Sequence, residues 1–149
     1  MPVTMNDVVA EIDKDEPEYA AAAAKLGPEA LPLLQQIVEA DDPMRASKAT
    51  YLAALIGGEG ATPSLEKAAA HQDARVRVAA AHALGAERGA PPSLLERLLD
   101  DGDAGVRKVA LRAAAEGKNA HLKAKVAKMS KDDPEEFVRK TAKDAAKRL

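Results

Sequence analysis

The side chains of this sequence best suited to metal or proton chemistry are three histidines, His71, His82 and His121; there is no cysteine. A zinc site or a nucleophile–base pair needs ligands at fixed spacings, such as a second histidine four residues on or a paired acid and thiolate. None of the three histidines has such a companion, and all three read as ordinary surface residues. The carboxylate pairs Asp41-Asp42, Asp100-Asp101 and Asp132-Asp133 offer acid–base candidates, but each falls at a helix junction, where capping explains it more simply. Gly57-Gly58-Glu59-Gly60 lacks the Lys-Ser/Thr that a phosphate loop requires, and reads as a turn. The expectation is a chain that is not an enzyme and has no catalytic residue, metal or cofactor.

The elements that hold these residues are helical. Of 149 residues, 46% are hydrophobic but only 2% aromatic, so alanine and leucine fill the interior. Alanine loses no side-chain entropy in a helix, and strand-favouring residues are scarce, which predicts an all-α chain. The first residues lack a basic and apolar leader, and no stretch approaches the roughly 18 apolar residues of a membrane span. A soluble, cytoplasmic protein with no membrane association is expected. The net charge of -2 is uneven: residues 101–149 carry +5 and residues 1–100 carry -7.

The sequence repeats. Asp73-Ala74-Arg75-Val76-Arg77-Val78-Ala79-Ala80-Ala81-His82-Ala83-Leu84-Gly85 is followed by Asp103-Ala104-Gly105-Val106-Arg107, preceded by Asp42-Pro43-Met44-Arg45, and echoed by Phe137-Val138-Arg139. Arg45, Arg77, Arg107 and Arg139 are spaced by 32, 30 and 32 residues. Before each of the first three copies stands an apolar trio in constant register: Leu34, Ile37 and Val38, then Leu65, Ala68 and Ala69, then Leu95, Leu98 and Leu99. Spacings of three and four put each trio on one helical face, so each period is a helical hairpin. Asp42, Asp73, Asp103 and Asp133 stand where an N-cap carboxylate would accept the free N–H groups of a first turn. Gly27-Pro28, Gly57-Gly58, Gly85 and Gly117 are expected to end one unit and admit the next.

The pattern D-x-x-V-R-x-x-A-A-x-A-L-G over about residues 28–149 resembles HEAT repeats, in particular the short bacterial form found in phycobilisome-lyase-like proteins. The resemblance implies a right-handed α-α superhelix, an α-solenoid of about five helical hairpins. Residues 1–27 would form a degenerate capping hairpin, keeping Asp15 but with Tyr19 in the place of the arginine, followed by repeats at 28–59, 60–89, 90–116 and 117–149. It also implies that the aspartates cap the second helix of each pair, and that Arg45, Arg77, Arg107 and Arg139 form a polar ladder between repeats. Extra residues around Ser130-Lys131-Asp132 are expected to shift the packing of the last unit.

In such a stack the second helices line the concave face. Counting one and five residues from each arginine gives two outward rows, Ala46, Val78, Lys108 and Lys140, and Thr50, His82, Arg112 and Asp144. Of these, Thr50, His82, Lys108, Arg112, Lys140 and Asp144 are the candidate partner-binding residues. Two readings of the basic members stand: a docking stripe, or charges that merely solvate a helix face. A scaffold or adaptor with a protein partner is favoured. Nucleic-acid binding through Lys118, Lys123, Lys125, Lys128 and Lys131, and an accessory role in bilin-like cofactor attachment, are the alternatives.

Overall fold

The structure, a computed structural model, describes residues 2–86 and 91–149. Ten α-helices form five hairpins, with no strand among the described residues: α1 (Met5–Ile12) with α2 (Tyr19–Leu26), α3 (Leu31–Glu39) with α4 (Pro43–Ile56), α5 (Thr62–Ala69) with α6 (Ala74–Ala86), α7 (Pro92–Leu99) with α8 (Ala104–Glu116), and α9 (Lys123–Asp132) with α10 (Glu136–Lys147). The even-numbered helices pack in series, α2 on α4, α4 on α6, α6 on α8 and α8 on α10, while α1, α3, α5 and α7 follow one another in a second layer. This is the expected α-solenoid. The expected boundary at residues 89 and 90 lies outside the described residues.

The core lies between the layers and is built from the apolar trios. All nine of their side chains are buried, Val76, Ala80, Val106 and Ala110 close over them from the even helices, and Val138 and Ala142 of α10 join the same core. Small residues at these positions bring helix axes close together, and ordering comes from stacking, because helices of 8 to 14 residues are marginal alone in water. In the first unit, the Thr4 side chain accepts from the Asp7 N–H at 3.2 Å and Asp7 accepts from the Thr4 N–H at 2.9 Å, a reciprocal cap that starts α1. Helix α2 begins after Glu18, so Asp15 is not its cap. The extra residues of the last unit lengthen α9, which packs chiefly on α10.

Two glycine positions behave differently. Gly57 and Gly58 have φ of 72° and 80°, the left-handed region open to glycine at little cost, and they turn the chain from α4 into the next unit. Gly85 does not end its helix as the sequence suggests; α6 continues to Ala86. A Cβ on Gly85 would lie 3.1 Å from both Cα and Cβ of Ala113 in α8, so the missing side chain sets how closely these helices approach. Gly85→Val is expected to force them apart and to lower stability by about 1–3 kcal/mol, read as a lower urea midpoint with an unchanged slope.

Candidate interaction surface

Local hydrogen bonds at the starts of α4, α6 and α8 fix how their faces are turned. The Asp42 carboxylate accepts from the N–H of Met44 at 3.0 Å and of Arg45 at 3.2 Å. Asp73 accepts from Arg75 N–H at 2.8 Å, and Asp103 from Val106 N–H at 3.0 Å. These three are caps, as expected. Asp133 is not: α10 is preceded by Glu135, and Asp133 is buried two residues earlier. Its carboxylate accepts from the Glu135 N–H at 3.0 Å and from Arg107, whose Nε donates at 2.8 Å and Nη2 at 3.0 Å.

Asp133 is therefore a ladder acceptor. One rung earlier, Arg77 Nε donates to Asp101 at 2.9 Å while its Nη1 donates to the carbonyls of His71 and Gln72 at 2.8 and 3.0 Å. Arg107 Nη1 repeats this with the Asp101 carbonyl at 2.9 Å, and Arg139 Nη1 with the Asp133 carbonyl at 2.6 Å. Arg139 pairs with no carboxylate among the described residues. Burial works to raise the Asp133 pKa, but the bonds from Arg107 and the Glu135 N–H outweigh it and hold the carboxyl below the usual range; the same pairing raises Arg107 further.

Arg45 is not part of this ladder. It reaches back to Asp13 at 2.6 Å, and the pair is 45% and 40% exposed. The reason is register. Arg77, Arg107 and Arg139 stand four residues after the residue that precedes their helix, Asp73, Asp103 or Glu135, and the residue four after Asp42 is Ala46. The matching acceptor site, two residues before the cap, is held by His71, whose Nδ1 accepts from the Asp73 N–H at 3.0 Å where Asp101 and Asp133 use a carboxylate oxygen. The join between α4 and α6 thus has neither the arginine nor the aspartate.

Counting from the true helix starts also corrects the outward rows. Ala46 and Thr50 are buried, and the Thr50 hydroxyl donates to the Ala46 carbonyl at 2.8 Å; Thr50 is not a surface residue. The outward positions two, five and nine after each start are Met44, Arg75, Gly105 and Phe137; Ser47, Val78, Lys108 and Lys140; and Tyr51, His82, Arg112 and Asp144. His82, Arg112, Lys140 and Asp144 are exposed and Lys108 half-buried. The third row is a line of rings at one end: Tyr19 and Tyr51 have centroids 5.9 Å apart, and Tyr51 and His82 6.3 Å. Lys108 Nζ lies 5.7 Å from the Phe137 centroid, within reach of a cation–π contact.

The large apolar side chains that are exposed among the described residues, Met44 at 67%, Leu55 at 52% and Phe137 at 44%, all belong to even helices. On α4, Met44 and Leu55 form one stripe with the half-buried Tyr51, at spacings that share a helical face. Sequence reasoning missed this stripe; the signal was an apolar residue seven and eleven positions from another on the wrong side of the helix. The odd helices carry the other basic tract: Lys123, Lys128 and Lys131 of α9 are exposed, and Lys125 pairs with Asp100 at 2.7 Å.

Among the described residues, no group of three or more His, Asp or Glu side chains is placed to hold a metal ion, and no helix is long and apolar enough to cross a membrane. Paired helices stacked in register, with guanidinium–carboxylate rungs between neighbours, define the class: an α-solenoid repeat protein. The sequence model of the family described as HEAT repeats matches residues 30–115, and the chain belongs to the HEAT-repeat family. Its members serve generally as protein-interaction scaffolds. No curated protein matches the chain.

Proposed function

We propose that this protein is a non-catalytic scaffold that binds a protein partner across the face of its even helices, α2 to α10. The observation that carries this reading is the segregation of exposed apolar surface: Met44, Leu55 and Phe137 lie on that face, where burial in a complex would remove them from water. Solenoids present such faces as continuous surfaces. Aromatic and arginine side chains, the types most often dominant in binding, stand there as Tyr51, Phe137 and Arg112.

Nucleic-acid binding through the Lys-rich α9 has less support, since that tract is on the other layer from Lys108, Arg112 and Lys140, and Lys125 is engaged by Asp100. A part in cofactor attachment rests on resemblance to the phycobilisome-lyase-like subtype alone. The test is affinity capture from the native cell with wild type, with Lys108→Glu/Arg112→Glu/Lys140→Glu, and with Lys123→Glu/Lys128→Glu/Lys131→Glu as the control on α9. The first variant is expected to lose the partner by at least about tenfold, or 1.4 kcal/mol, while the control retains it. The opposite pattern refutes the proposal.

A further inference from the structure

The face of the even helices is not uniform, and its gradient specifies a partner. At the end formed by α2 and α4 the surface carries the exposed Met44 and Leu55 and the half-buried rings of Tyr51 and Tyr19, tilted at 58° to each other with centroids 5.9 Å apart. At the end formed by α8 and α10, Lys108, Arg112 and Lys140 supply three cations, Lys108 beside the Phe137 ring, against the two carboxylates of Asp144 and of Glu136, which lies 3.6 Å from Lys140 Nζ. His82 sits between the two ends, its ring 6.3 Å from that of Tyr51 on one side and in the same row as Arg112 on the other.

From this gradient we infer that the partner is a protein segment with two blocks, an apolar or aromatic block that seats on α2 and α4 and an acidic block that seats on α8 and α10, so that it docks in one direction only. The inference rests on the scaffold reading above and adds the partner's chemistry and its polarity. The apolar block supplies the desolvation, and the charged block sets direction and rejects the reversed or basic segment, because like charges meeting across an interface are strongly disfavoured. Neighbouring helices lie about 8–10 Å apart, so the four steps from α2 to α10 span about 32–40 Å, the reach of an extended segment of about 10–12 residues.

The test selects a random peptide library, displayed on phage, against the full chain, and measures the affinity of the enriched peptides for three proteins: wild type, Met44→Ser/Leu55→Ser, and Arg112→Glu/Lys140→Glu. All of these positions are exposed, and folding is checked by circular dichroism. Enriched peptides are expected to carry separate apolar and acidic blocks, and each variant is expected to weaken binding at least about tenfold. Replacing the acidic block by lysine should weaken binding to wild type and restore it to the charge-reversed variant. Peptides that are basic or uniformly apolar, or a charge reversal without effect while the serine variant abolishes binding, overturn the two-block partner and leave the scaffold face standing. If neither variant matters, or no peptide enriches, the face itself is wrong. A duplex oligonucleotide that binds wild type, displaces the peptides and fails to bind the charge-reversed variant overturns the inference in favour of nucleic acid.

Discussion

Asp133→Ala is expected to cost about 3–5 kcal/mol of folding stability, the range for breaking a buried ion pair by removing one partner. The side chains of Arg107 and Asp133 are 12% and 4% exposed, so the substitution strands a largely buried guanidinium and also leaves the Glu135 N–H without its acceptor. Arg45→Ala should cost less than about 1 kcal/mol, because the Arg45–Asp13 pair is open to solvent. Urea denaturation of both variants separates the ladder proper from a surface ion pair that looks like part of it in the sequence. The effect depends on pH with a definite sign. The folded pKa of Asp133 is depressed below its unfolded value, so its contribution is complete above the unfolded pKa of about 4 and is lost as pH falls through the lower folded one. Wild type and Asp133→Ala should converge in acid.

Thr50→Lys should be the second severe change. Thr50 is fully buried in α4 with its hydroxyl spent on the Ala46 carbonyl, and an ammonium placed there has no partner and no water. The expected loss is more than about 3 kcal/mol. His82→Lys, at an exposed position of the outward row, should stay within about 0.5 kcal/mol. Thermal unfolding of the two variants decides which residues of the even helices face the core.

That pair of predictions marks where the sequence could and could not be read. Helix type, hairpin count and the nine trio residues were legible because apolar spacing repeats in constant register. The orientation of α4 was not, because its arginine stands out of register with those of the later repeats. Arg45 lies three residues after Asp42, whereas Arg77 and Arg107 lie four after their aspartates, and a slip of one residue turns a helix by about 100°. The slip put Thr50 outside and left Tyr51 and Leu55 unnoticed. Asp101 and Asp133 were hidden in a different way. An aspartate two residues before a helix start differs from a cap only in what reaches it from the previous repeat, a contact no local pattern contains. Gly85 is similar: a helix stop by composition, it is a spacer by tertiary contact with Ala113.

The missing rung between α4 and α6 makes the stack respond to its solvent unevenly. In acid, protonation of Asp133 releases Arg107 and loosens the join of α8 with α10, and protonation of Glu11 releases Lys14 and Lys25 in the first hairpin, but the join of α4 with α6 has no guanidinium–carboxylate pair to lose and is held by apolar packing. Cooling acts the other way, since apolar burial weakens as temperature falls while the rungs persist. Acid therefore loosens both ends of this solenoid, and cold works on the middle.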